Sequence, residues 1–213
     1  MDLSQNHIQA EGAAALANLP YLTSLTTLNV EACFIRSEGA AALSQSSNWG
    51  SLTHLNIGSN LIGPSGAQAL VASTKFSSLT ELDISLNDIG AVGISALAQS
   101  VHYPALKSFN LTSNRIGSDG ATKLAQSTYF LHLIIVNLQH NDIDARGIVA
   151  LASSKCLSKV TNINLAFNNI GDAGAQALAR SPHFPQLEIL NLSSNFITDL
   201  GVSALAESSQ LPV

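Results

Sequence analysis

Apolar and polar positions alternate in two ways along this chain, and the two ways take turns. Residues 79–89 read LTELDISLNDI, where Leu82 and Ile84 flank polar Asp83 at the period of two that marks a strand. Residues 91–100 read AVGISALAQS, with apolar residues at the spacing of an amphipathic helix. The pair of patterns returns every 27 residues. Asn6, Asn60, Asn87, Asn114, Asn141, Asn168 and Asn195 stand on one ladder of that step, and Cys33 fills its single gap. The position two residues on is always isoleucine, from Ile8 to Ile197. A glycine column runs from Gly12 to Gly201 and a leucine column from Leu16 to Leu205. No insertion breaks the register in eight copies, so the pattern predicts a solenoid of strand-plus-helix units forming a single domain over 1–213.

Local signals fit that division. Glu11, Glu38, Asp119, Asp172 and Asp199 fall at predicted helix starts, where a negative charge meets the positive end of the helix dipole. Runs such as Ala13–Ala15 and Ala40–Ala42 allow helices to approach closely. The glycine column is expected where a side chain would collide with the strand layer. The asparagine slot follows the strand, where buried backbone groups lose their ladder partners; an amide side chain can both donate to and accept from them. Cysteine is smaller and tolerates burial, so Cys33 reads as a structural residue.

The pattern LxxLxLxxNxI followed by GAxALAxS resembles the leucine-rich repeat family, in the class of ribonuclease inhibitor and the NOD-like receptors, over essentially all 213 residues. That class also places Asn or Cys in the slot of Cys33. The resemblance implies an α/β horseshoe with a parallel sheet on the concave face and helices outside. Spacing arguments reach the same shape, since strands pack about 4.8 Å apart and helices about 8–10 Å. Met1 falls in the slot of Leu28, so the first repeat reads as truncated at its N-terminus, and neither end carries an evident cap. Bare ends predict end-to-end self-association.

Composition narrows the function. Apolar residues make up 46%, aromatics only 5% and charged residues 11%, so leucine and small residues are expected to fill the interior. A net charge of −5 argues against nucleic acid as a partner. No apolar run reaches the length of a membrane span, and no signal peptide opens the sequence. The two cysteines, Cys33 and Cys156, do not make a disulfide framework and suit a reducing, cytoplasmic setting, including a host cytosol for a bacterial effector. Cys156 shares a column with Asn48, Lys75, His102, Tyr129 and His183, which predicts an exposed and more reactive thiol. The six histidines are scattered, and no HExxH motif, CxxC pair or phosphate loop occurs. The chain reads as a non-enzyme without cofactor or metal. Asn110 and Asn191 match glycosylation sequons only because the repeat consensus does.

Residues between the core leucines should line the hollow. The central column there is Asp2, Asn29, Asn56, Asp83, Asn110, Asn137, Asn164 and Asn191, expected to keep the strand face wet. Candidate partner-binding residues are Glu31, His54, Glu81, Asp83, Leu86, Asp88, Arg115, Gln139, His140, Asp142, Phe167, Ile189 and Phe196. Seven acids (Asp2, Glu31, Glu81, Asp83, Asp88, Asp142, Glu188) and two bases (Lys107, Arg115) assign the whole net charge to the hollow. That predicts a basic or mixed-charge protein partner. Phe167 and Phe196 are candidate apolar anchors. The family resemblance implies a protein-interaction scaffold. Its other implications are a recognition region of a larger immune-receptor-like or effector protein, or a small-GTPase regulator using Arg115.

Overall fold

The computed structural model describes residues 1–212. Seven short parallel strands lie side by side in chain order: β1 Thr27–Asn29, β2 His54–Asn56, β3 Glu81–Asp83, β4 Ser108–Asn110, β5 Ile135–Asn137, β6 Asn162–Asn164 and β7 Ile189–Asn191. The first copy contributes a single bridge, Asp2 to Asn29, in place of a full strand. Eight helices form the outer layer: α1 Gln9–Ala17, α2 Arg36–Ser44, α3 Gly63–Leu70, α4 Gly90–Ala98, α5 Gly117–Ala125, α6 Ala145–Ala152, α7 Gly171–Ala179 and α8 Asp199–Ala206. Register is strict: Leu28 stands opposite Leu55, then Leu82, Phe109, Val136, Ile163 and Leu190. Each helix packs on the next and each strand on the next, so a wide helical layer and a narrow strand layer must bend together into an arc.

The asparagine ladder holds the copies in step. The Oδ1 of Asn87 accepts the backbone N–H groups of Asn60 (2.9 Å) and Ile62 (3.3 Å) in the preceding copy. Its Nδ2 donates to the carbonyls of Ile57, Ile84 and Ser85 at 2.9–3.1 Å. Asn114 repeats the arrangement toward Asn87, Ile89, Ile84, Leu111 and Thr112. Both side chains are fully buried, so backbone groups that water cannot reach are satisfied by one residue per copy. Cys33 is buried as expected, and its thiol donates to the carbonyl of Leu3 at 3.0 Å. It cannot accept from Asn6 or Ile8, but Asn6 is exposed and water can serve there.

Two expectations about the interior change. The scarce aromatics are not absent from the core: Trp49, Phe76, Tyr103, Phe130 and Phe184 form a buried column at the repeat step, ahead of the strands, and Phe109 fills a strand position. Phe76 and Tyr103 stack at 6.4 Å, and the Tyr103 hydroxyl donates to the Leu70 carbonyl at 2.9 Å. Burial pushes that phenol far above its ordinary pKa. The glycine column is also set by a different neighbour. A Cβ on Gly93 would lie 2.8 Å from the Ile89 Cβ and 3.0 Å from the Ala67 Cβ of the preceding helix. The invariant isoleucine and the adjacent helix exclude the side chain; the strand layer does not.

Helix entry takes two forms. Gly63, Gly90, Gly117 and Gly171 start helices with φ near +60°, and each donates its N–H to the asparagine carbonyl of the next copy, as Gly90 does to Asn114 at 3.0 Å. Asp144 and Thr198 hold the same column in extended conformation and cap with their side chains. The Asp144 Oδ1 accepts from the N–H groups of Arg146 (2.8 Å) and Gly147 (3.2 Å) and from the Ser118 hydroxyl of the previous copy. Those donors, Ser118 foremost, hold its carboxyl below the usual range.

Two predictions follow from the buried amide. Asn114→Ala strands five backbone groups and should cost about 3 kcal/mol or more in urea unfolding, whereas Cys33→Asn should be neutral or stabilising. Equal losses at the two sites would remove the distinction drawn from burial. A carboxyl with a depressed folded pKa adds stability that is complete above its unfolded value of about 3.9 and is lost as pH falls through the folded value. Asp144→Asn keeps an Oδ1 acceptor but cannot titrate. Its unfolding free energy should therefore fall less steeply than wild type between about pH 4.5 and 2.5.

Candidate interaction surface

The inner face of the sheet presents three columns. The first is Thr27, His54, Glu81, Ser108, Ile135, Asn162 and Ile189, each paired with the next in the strand register. The second is the Asn/Asp column. Its side chains do more than wet the face: each Oδ1 accepts the N–H two residues on, where the strand pairing ends. Asn56 holds Gly58 at 2.9 Å, Asp83 holds Ser85 at 2.9 Å and Asn110 holds Thr112 at 3.1 Å. The third column includes Glu31, Gly58, Ser85, Thr112, Gln139 and Ala166.

Charge on this face is confined to one half. Asp2, Glu31, Glu81 and Asp83 are its only formally charged side chains, and no Lys or Arg stands in the three columns. Glu31 accepts from the Asn56 amide at 3.1 Å, Asp83 from the Asn110 amide at 2.7 Å, and Glu81 lies 3.2 Å from His54 Nε2. Amide donors leave the negative charges in place. His54, Glu81 and Asp83 line one cleft of about 450 Å³ that also reaches Ile135. The C-terminal half is uncharged: Ile135 and Ile189 are 46% and 56% exposed, and Gln139 accepts from Asn164 at 3.1 Å.

The remaining candidates lie elsewhere, so the acidic charge expected in a single hollow is divided over three surfaces. Lys107 and Glu188 precede β4 and β7 and flank the sheet at its N-terminal rim. Asp88, Arg115 and Asp142 belong to the loops that leave the strands, with φ of +55°, +52° and +57°. Leu86, His140 and Phe167 occupy a second left-handed column of the same loops. These side chains are exposed on the opposite rim, where the chain leaves the strands. Arg115, the basic group singled out for a GTPase, reaches both carboxylate oxygens of Asp88 at 3.2 Å in an exposed ion pair. Asp142 forms no ion pair among the described residues. The His140 and Phe167 rings stack at 4.4 Å and 11°. Phe167 is 47% exposed, and Phe196 stands apart at 78%. A second cleft gathers Leu86, Asp88, Arg115, His140 and Asp142, together with Leu61 and Ser113. Ser113 carried no sequence signal except its small size between Leu86 and His140.

The thiol expectation is half corrected. Cys156 is 4% exposed: it is the middle residue of a single helical turn, Lys155–Leu157, and its short side chain meets the Ser154 hydroxyl at 3.1 Å. Burial raises its pKa, so it is protected and not reactive. Among the described residues no group of His, Cys, Asp or Glu is arranged to hold a metal. None of the described helices is long and apolar enough to cross a membrane.

A family model described as "Leucine Rich repeat" matches residues 1–17, 21–44, 51–71, 77–98, 104–125, 131–152, 156–179 and 185–206. No curated protein matches the sequence. Among solved structures, the chain is similar to an internalin (inlF) from Listeria monocytogenes, with 20% identity, 96% of this chain and 74% of that chain covered, and a TM-score of 0.35. It is also similar to the yeast Rad7 and Elc1 complex, with 13% identity, 96% and 70% covered, and a TM-score of 0.40. At those scores neither bears on what this chain binds.

Phe167→Ala removes a half-exposed ring from a surface stack. It should lower unfolding stability by about 1 kcal/mol or less, against the 3–5 kcal/mol typical of a core phenylalanine. A loss of the larger size in urea melts would place the ring in the core.

Proposed function

Because this chain belongs to the leucine-rich repeat family, we propose that it is a non-catalytic scaffold that binds a protein partner across the inner face of its sheet. One observation carries the reading: that face bears four carboxylates and no Lys or Arg. Carboxylates on a concave wall of one sign focus the field outward and speed capture of a basic or mixed-charge surface. The uncharged half, with Ile135 and Ile189, supplies apolar contact beside the charged half. A bipartite face of this kind suits a partner that is basic at one end of its footprint and apolar at the other. The two free, buried thiols are in keeping with a reducing compartment such as the cytosol.

The test compares wild type with a Glu31→Gln/Glu81→Gln double variant, immobilised and exposed to cytosolic extract. Both amides keep acceptors for Asn56 and His54, so folding is preserved. Proteins held by wild type should elute as NaCl rises from about 0.15 to 1 M, where the screening length shrinks from about 8 to 3 Å. The double variant should not retain them. Retention that ignores both salt and the two substitutions would contradict electrostatic capture on this face.

A further inference from the structure

The rim beside Asp142 contains a gap with the dimensions of one planar side chain. Leu86, Ser113, His140 and Phe167 occupy the same column in four consecutive copies. Their backbones still pair from copy to copy: Leu86 N–H to the Thr112 carbonyl at 2.8 Å, Ser113 to Gln139 at 2.9 Å, and His140 to Ala166 at 3.1 Å. Successive side chains are therefore held about one strand spacing apart, about 4.8 Å. That is the distance at which flat groups stack, and Phe167 and His140 do so at 4.4 Å. The next rung of the stack is Ser113, whose side chain is too short to continue it. The outer face of the His140 ring and the side chain of Leu86 thus stand two rungs apart, about 10 Å, with only a serine between them. These residues form the cleft of about 410 Å³ on this rim.

The charges beside the gap select its occupant. Asp88, Arg115 and Asp142 stand in the adjacent column of the same three copies, net −1. Arg115 is drawn to Asp88 on the Leu86 side. The carboxylate of Asp142, on the His140 side, keeps no cation. A group entering over Ser113 meets an aromatic face, an aliphatic wall and an unpaired carboxylate together. A guanidinium satisfies all three, since it is planar, stacks on aromatic rings and donates in a fork to a carboxylate. An ammonium can meet the carboxylate and the ring face, but it offers neither a flat surface to stack nor a forked donor.

We propose that the gap over Ser113 is a recognition slot for an arginine side chain of the partner, stacked on His140 and paired with Asp142. The slot rests on the reading of this protein as a scaffold for a basic partner and names the residue type that partner presents here. It lies on the loop rim, away from the sheet carboxylates Glu31 and Glu81.

Small probes read the slot without the partner. N-acetylarginine amide, N-acetyllysine amide and N-acetyltryptophan amide are titrated into isotope-labelled protein and followed by amide NMR shifts. The arginine compound should give saturable shifts centred on Ser113, His140 and Asp142, with the lysine compound weaker by about threefold or more. Ser113→Leu should abolish them, and Leu86 shows that this left-handed position accepts leucine. Asp142→Asn should weaken them, while Glu31→Gln/Glu81→Gln should leave them unchanged. Equal shifts from lysine, tighter binding of tryptophan, or binding that survives Ser113→Leu would each overturn the slot. None of these results would touch salt-dependent capture on the sheet face, so the two readings fail separately.

Discussion

The structure depends on one buried side-chain amide per copy. An asparagine placed after each strand takes two backbone donors from the copy before it and supplies donors to three carbonyls, as Asn87 and Asn114 do. Without it, the chain could not turn from sheet to helix inside the core, because buried backbone groups without partners are costly. The amide also forbids slippage, since it bonds to residues 25, 27 and 30 positions earlier. Leucine, isoleucine and the aromatic column then fill a space whose register is already set. Whatever stands between them is delivered to the inner face or the rim at fixed intervals of one copy.

That fixed interval makes the surface a lattice. Side-chain contacts between copies on the inner face and the loop rim join residues 25 or 27 apart: Glu31 with Asn56, His54 with Glu81, Asp88 with Arg115, His140 with Phe167. A lattice of this spacing stacks flat groups naturally, and it leaves a gap wherever a small residue interrupts a column. The chemical identity of the surface is thus written in short vertical runs across copies more than in neighbouring residues along the chain.

This explains what the sequence revealed and what it hid. The ladder, the helices and the concave sheet were legible because their columns keep one residue type, or a close substitute, from copy to copy. The aromatic column escaped because its members differ, running Trp49, Phe76, Tyr103, Phe130 and then Leu157 before Phe184. Cys156 was misjudged from its column, whose other members are long and polar enough to reach solvent where a thiol folds inward. The division of charge was hidden by the left-handed loops at Asp88 and Asp142, where the period of two that sorts core from hollow has already ended. The pairing of Arg115 with Asp88 was open to view, since adding 27 to one number gives the other.

The ladder as the source of register is tested most directly by amide hydrogen exchange. The N–H groups of Asn60, Ile62, Asn87, Ile89 and Asn114 belong to loops by backbone shape yet bond to buried asparagine oxygens. They should exchange as slowly as the amides of the central strands, through opening of the whole array. Exchange at the rate of exposed loop amides, with the strands still protected, would contradict the account.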